Sequence, residues 1–274
     1  ITGDIFKMDE RSVSDIIHRG GTVLYTARCP EFRTQEGVKK AKDKCDELGI
    51  EGLVVIGGYG SFRGAADLSA MGVLCIGLPG TIDNDIASTE YTIGYDTAMN
   101  TAMQCIDKLR DTASSHERCS VIEVMGRNAG WIALNVGIAT GAESILIPEV
   151  PYDFNRDVLR VILDGRNTGK KHYIVIVAEG VCKAEEIAKQ IEEATGIEAR
   201  PTILGHLQRG GSPTLRDRTI ASLIGIRAID CLIEKRFNRL VCMKNGEITD
   251  VDIEKGLEMT KTITPDIIEK AKRL

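Results

Sequence analysis

The sequence predicts an α/β fold with mainly parallel sheet, in one large or two closely associated domains. Short apolar runs such as Leu53-Val54-Val55-Ile56 alternate with amphipathic stretches of helical period, the order that gives parallel strands joined by crossover helices. Several of the apolar runs end abruptly in glycine, proline, arginine or a carboxylate, as buried strands do where they deliver side chains to the carboxyl edge of a sheet. The 274 residues are 43% hydrophobic, enough for a large core, and the 28 glycines allow many tight strand-to-helix turns. No repeat, low-complexity tract or long linker breaks the pattern.

Taken in order, Asp15–His18 reads as a short helix running into Arg19-Gly20-Gly21, so the chain enters the fold part-way. Thr22–Thr26 reads as a strand ending in Ala27-Arg28-Cys29-Pro30, which sets a guanidinium just past a strand end. Val38, Ala41, Cys45 and Leu48 recur at helical spacing and Gly49 closes that helix. The apolar strand Gly52–Ile56 is followed by Gly57-Gly58-Tyr59-Gly60-Ser61, where backbone amides at a helix start can approach a phosphate and Ser61 can cap the helix. Neither Gly-x-Gly-x-x-Gly nor a Walker loop is present, so another phosphate-binding design is implied.

The run Val73–Gly77 leads into Leu78-Pro-Gly-Thr-Ile-Asp-Asn-Asp85, which delivers Asp83 and Asp85 to the sheet edge. Two carboxylates one residue apart on a loop need not share an environment: one can accept a proton while the other faces a hydroxyl or a metal ion. The alternation continues with helix 91–112, strand 120–124 ending in Met125-Gly126-Arg127, helix 131–139, strand 144–147, helix 157–163, strand 172–177 ending in Ala178-Glu179, and helix 184–194. Arg200–Leu204 then leads to Gly205-His206-Leu-Gln-Arg209-Gly-Gly-Ser-Pro213, a helix over 217–233, a short strand at 240–243, and helices over 251–257 and 266–272.

The net charge of -5, scattered basic residues and 4% aromatic content argue against a nucleic-acid surface. No apolar run approaches the roughly 18 residues of a membrane span, and the first residues carry no apolar signal core, so a soluble, cytoplasmic protein is expected. The eight cysteines form no Cys-x-x-Cys pair and read as reduced core residues.

Each strand-end residue alone also fits a structural role: Arg28 and Arg127 as ion-pair partners, Glu179 as a surface charge, His206 as a satisfied core histidine. Together, arginines, carboxylates and a glycine turn at one ligand edge fit phosphoryl transfer, in which cations meet the moving phosphoryl group and a carboxylate meets the acceptor hydroxyl.

Gly57-Gly-Tyr-Gly-Ser61, Leu78-Pro-Gly-Thr-Ile-Asp-Asn-Asp85, Val124-Met-Gly-Arg127 and Gly205-His-Leu-Gln-Arg-Gly-Gly-Ser-Pro213, in this order, resemble the bacterial ATP-dependent 6-phosphofructokinases essentially end to end. The resemblance implies two Rossmann-like lobes with the active site in the cleft between them. Residues 1–94 and 208–258 would form the nucleotide lobe, and 95–207 and 259–274 the sugar-phosphate lobe. It implies transfer of the ATP γ-phosphoryl group to fructose 6-phosphate in glycolysis, with ATP and Mg2+ as cofactors and a homotetrameric assembly.

By the same resemblance Asp83 is the base, with Thr81 beside it and Asp85 near magnesium. Arg28 and Arg127 stabilise the transferring group, and Cys29, Gly58, Gly60 and Ser61 line the nucleotide site. Met125, Gly126, Glu179, His206 and Arg209 hold the sugar phosphate, to which Arg118 and Arg200 reach across a subunit interface. Arg110, Glu143, Lys170, Lys171 and His172 match an effector site for ADP or phosphoenolpyruvate. Gly80 implies ATP as donor, since the pyrophosphate-dependent relatives place a lysine in this region.

Two departures stand out. Tyr59 occupies the position of an aspartate at the family's magnesium site, and a phenol supplies no hard anionic oxygen at neutral pH. The family's initial strand and glycine-rich turn have no counterpart, so the chain is expected to be truncated. The alternative is therefore a non-catalytic member that binds sugar phosphate and effector.

Overall fold

The computed structural model describes residues 2–273, apart from the side chains of 114–116. In chain order the regular elements are α1 (Gln35–Glu47), β1 (Leu53–Gly57), α2 (Tyr59–Ala70), β2 (Cys75–Pro79), α3 (Tyr95–His116), β3 (Cys119–Val124), α4 (Trp131–Thr140), β4 (Ser144–Leu146), α5 (Arg160–Asn167), β5 (Tyr173–Ala178), α6 (Ala184–Thr195), β6 (Ala199–Ile203), α7 (Leu215–Ile233), β7 (Arg239–Lys244), β8 (Glu247–Asp252), α8 (Ile253–Glu258) and α9 (Pro265–Ala271). A π-helical turn, Asn155–Leu159, precedes α5, and a 3-10 turn, Gly205–Arg209, follows β6.

The chain divides into two compact units: residues 1–81, 85–94 and 212–261, and residues 82–84, 95–211 and 262–274. The first holds a four-stranded sheet in the order β1-β2-β7-β8, parallel except for the β7–β8 hairpin. Its core joins Val38, Ala41 and Cys45 of α1 to Phe62, Ala65 and Leu68 of α2, together with Cys75, Leu240 and Ile253. The 3.6-residue spacing of the apolar side chains puts them on one stripe, and burying that stripe, rather than intrinsic propensity, stabilises these helices. Leu48, expected on the same stripe, is the C-cap residue of α1 and is exposed.

The second unit has an all-parallel sheet in the order β4-β5-β3-β6. Every residue of β5 is buried, as a central parallel strand covered on both faces requires. Thr140 ends α4, and Gly141 adopts the left-handed C-cap conformation with φ 59°.

The expected helix at 15–18 and strand at 22–26 are absent. Val13, Ile17, Val23, Leu24 and Tyr25 are exposed, so no surface is there to fix them, and Asp15 and Tyr25 take left-handed backbone with φ 55° and 57°. The helix after the glycine turn starts at Tyr59 rather than after Ser61, with Gly58 at the N-cap and no side-chain cap. Ser61 therefore lies inside the first turn. β8 was not anticipated, and the helix expected from residue 251 begins two residues later, at Ile253.

All eight cysteines are free thiols. Burial pushes Cys119 up to about 12 and Cys242 to about 11, so both stay protonated and act as small apolar side chains.

Candidate active site

In the first unit the parallel register aligns Gly57 with Pro79, so the turns leaving β1 and β2 emerge side by side at the carboxyl edge. Gly80 N donates to Gly57 O at 2.9 Å, which staples the two turns together. Any larger residue at either point would force a neighbouring side chain to shift. A Cβ on Gly57 would lie 2.4 Å from Ser61 Oγ, and one on Gly80 would lie 2.9 Å from Ile56 Cγ2. A Cβ on Gly58 would meet Thr81 Cβ at 3.7 Å, so the glycine turn and Thr81 are neighbours.

Beyond Thr81 comes Ile82-Asp83-Asn84-Asp85. Asn84 is buried with φ 50°, a left-handed conformation that asparagine tolerates better than most residues and that turns the chain between the two carboxylates. Asp85 Oδ1 is buried without a hydrogen-bond partner among the described residues. Lys261 lies near it and donates to Thr89 O at 2.9 Å; burial pushes this ammonium down to about 8 against the opposing pull of Asp85 and Glu90.

Tyr59 is turned to other work. Its hydroxyl donates to Leu257 O at 3.0 Å and receives Arg63 Nη2 at 3.2 Å, and the same guanidinium lies 4.8 Å from its ring centre. Arg28 and Cys29 lie on an exposed irregular segment, not at a strand end, and no hydrogen bond or ion pair joins either to the Gly58–Ser61 turn among the described residues.

The second unit brings most of its expected site residues to one sheet edge. β3, β5 and β6 end in register, releasing Met125–Arg127, Glu179 and the 205–209 turn together. Glu179 Oε1 accepts the amides of Gly126 at 3.2 Å and Arg127 at 2.7 Å. Both donors have positive φ, 146° and 58°, so the carboxylate holds a turn that arginine would otherwise resist. Gln208 Oε1 accepts Met125 N at 2.8 Å, which ties the turn bearing His206 and Arg209 to the end of β3.

Arg118 and Arg200 fall elsewhere. They stand at the amino ends of β3 and β6, the opposite edge of the same sheet from Met125, Glu179 and His206. Both pair with Glu198, Arg118 Nε at 2.5 Å, and the hydrogen bond from Arg118 is the main cause holding this carboxyl below its usual range. The expected effector residues gather at that amino edge too: Glu143 pairs with Lys170 and accepts Ile174 N at 2.5 Å, His172 precedes β5, and Arg110 donates to Thr140 O. Lys171 pairs with Glu117 at 2.6 Å.

A magnesium ion that keeps waters and phosphate ligands needs only one or two protein carboxylates. The buried, unpartnered oxygen of Asp85 fits that demand; Tyr59 does not, and among the described residues no three His, Cys, Asp or Glu side chains form a metal cage.

The sequence model of the family described as phosphofructokinase matches residues 1–232. The chain belongs to the phosphofructokinase family. An ATP-dependent 6-phosphofructokinase of Clostridium botulinum (strain Loch Maree / Type A3) is 56% identical over 271 residues, covering 99% of this chain and 85% of the relative. That of Clostridium tetani is 54% identical over 274 residues, covering 100% and 86%. Among solved structures, Pichia pastoris phosphofructokinase in the T-state superposes with a TM-score of 0.87 at 32% identity, covering 97% of this chain and 33% of the yeast one, so this chain spans about a third of it. A pyrophosphate-dependent phosphofructokinase from Marinobacter aquaeolei, 21% identical with a TM-score of 0.82, shares the fold.

Gln208 and Asp217 are among the buried polar residues of this phosphofructokinase chain that the sequence did not mark as candidates. Gln208 sits inside a recognised motif but carries no charge to draw notice. Asp217 follows Thr214 at capping-box spacing, a purely local signal.

Proposed function

We propose that this chain transfers the γ-phosphoryl group of ATP to the 1-hydroxyl of fructose 6-phosphate, giving fructose 1,6-bisphosphate and ADP. The carrying observation is the loop leaving β2, which starts beside the glycine turn and bears Asp83 and Asp85, in a chain 56% identical to an enzyme named for ATP and 6-phosphofructokinase. In this reading Asp83, with Thr81 beside it in the sequence, accepts the proton of the 1-hydroxyl as its oxygen attacks the γ-phosphorus. Arg127 and Arg28 offset charge on the transferring group, while Gly58, Gly60, Ser61 and Cys29 line the nucleotide site. Asp85 would hold Mg2+, which neutralises phosphate charge when bound with the triphosphate.

Met125, Gly126, Glu179, His206 and Arg209 hold the sugar phosphate. The opposite-edge placement of Arg118 and Arg200 supports their serving a neighbouring copy's site in a homotetramer. Arg110, Glu143, Lys170, Lys171 and His172 take ADP or phosphoenolpyruvate. The nucleotide lobe is assigned to 1–94 and 208–258, the sugar lobe to 95–207 and 259–274, and the setting is the cytoplasm, in keeping with the absence, among the described residues, of a helix long and apolar enough to cross a membrane. The names of the relatives lend no support to the non-catalytic alternative.

The test is coupled detection of fructose 1,6-bisphosphate with Mg-ATP or pyrophosphate as donor. Product with ATP and none with pyrophosphate is expected. Fructose 6-phosphate binding by calorimetry with no turnover from either donor would overturn the proposal.

A further inference from the structure

Residues 80–94 join β2 to α3 without helix or strand and carry both candidate aspartates. A connection of this length is ordinarily either functional or disordered. Here its stem is closed, because Ile93 N donates to Pro79 O at 2.8 Å, and its middle is tied to β7 by Glu90 N donating to Met243 O and Met243 N donating to Thr89 Oγ1, each at 2.9 Å.

The last residues of the loop are held from α7. Asp217 is 2% exposed, and its single oxygen Oδ1 accepts both the Tyr91 hydroxyl at 2.6 Å and the Gly94 amide at 2.8 Å. Tyr91 is equally buried and is covered by the Arg216 guanidinium, 4.7 Å from its ring centre. Thr214 caps α7 by accepting Asp217 N at 3.3 Å, which fixes the backbone from which the carboxylate projects. A carboxylate at this capping position commonly folds back on its own helix start. Instead it engages partners 126 and 123 residues away, on the loop with Asp83 and Asp85.

We propose that Asp217 is a positioning residue for phosphoryl transfer, acting through Tyr91 and Gly94 to fix the exit of the loop that carries Asp83 and Asp85. The inference rests on the reading of Asp83 as base and adds to it a group that anchors the end of the loop bearing it. Two short bonds to one buried oxygen leave the loop end little freedom, and displacing a reacting group by about 1 Å costs on the order of 10²-fold in rate.

The test is steady-state kinetics with ATP and fructose 6-phosphate on Asp217→Ala, Asp217→Asn, Tyr91→Phe and the Asp217→Ala/Tyr91→Phe pair, each confirmed folded at the assay temperature by circular dichroism. Asp217→Ala should lower kcat about tenfold or more, with both KM values within about threefold. Asp217→Asn keeps Oδ1 and should restore most of the turnover; the double variant should be no slower than Asp217→Ala, because the two changes remove one interaction. Wild-type kcat in folded Asp217→Ala, an Asn variant as slow as Ala, or additive losses in the pair would overturn the proposal. Should Asp217→Ala not fold, unchanged kcat in Tyr91→Phe overturns it. Absence of product from the wild-type chain would instead sink the functional reading.

Discussion

Gln208 shows how a neutral buried side chain can organise a site. The Met125 amide needs an acceptor, so Oε1 must face it, and this orientation leaves Nε2 buried without a partner among the described residues. Replacing Gln208 with Leu strands the Met125 amide, for which the expected loss is about 1–3 kcal/mol of stability; an unchanged denaturant midpoint would show that bond to be dispensable. Lys261 gives a pH signature. Its ammonium titrates near 8 when folded against the ordinary 10.5, so between those values the unfolded chain binds more protons and this group's contribution to stability rises with pH. Denaturation of the metal-free wild type and Lys261→Met across that window should show their difference changing in this sense, and a flat difference would contradict it. Such residues were only partly legible beforehand. Asp83, Glu179 and Arg127 were visible because each lies within a few residues of the end of an apolar run. Asp217 and Gln208 were not, because what distinguishes them is a partner 126 or 83 residues away.

Among the elements, the β7–β8 hairpin is secured to α7 by one carboxylate. Asp250 is 8% exposed and binds Arg227 at 2.5 Å and Arg236 and Arg239 at 2.6 Å. Desolvation alone would raise its pKa, but hydrogen bonds from Arg227 and Arg239 outweigh burial and hold it below the usual range. Removing it as Asp250→Ala leaves three guanidiniums without their shared partner, and a loss of about 3–5 kcal/mol is expected in chemical denaturation. In the wild type the contribution is full above 3.8 and fades as pH falls towards the lower folded value, whereas Asp250→Asn should lack that acid dependence. A variant as stable as the wild type would remove the cluster from the account. The hairpin also shows what an apolar-run reading misses. β8 is Glu-Ile-Thr-Asp-Val-Asp, with no apolar run, and its signal is the Asn245-Gly246 turn, both residues at positive φ (52° and 79°). Conversely, Thr22–Thr26 had strand-forming residues but joins neither sheet among the described residues.

For the whole molecule, continuous apolar strands and helical stripes made the alternating parallel topology readable: burial on both faces leaves an unbroken run in β2 and β5, while β1 is equally apolar yet exposes Val54 and Ile56. Solvent-facing apolar surface was not readable, because periodicity reports a stripe and not what covers it. α7 buries Ile220, Ile224 and Ala228 but exposes Leu215, Ile226, Ile229 and Ile233 on its other side. A purified 274-residue chain is expected to bind a hydrophobic dye and to self-associate with rising concentration, and Ile226→Lys with Ile233→Lys should reduce both; unaltered sedimentation and dye binding would count against this. The central claim is that the Asp83 carboxylate takes the proton of the sugar hydroxyl. Turnover of fructose 6-phosphate by Asp83→Ala, with binding checked by calorimetry, tests it most directly. The account predicts a kcat lower by roughly 10² or more with fructose 6-phosphate still bound, and wild-type kcat in that variant would contradict it.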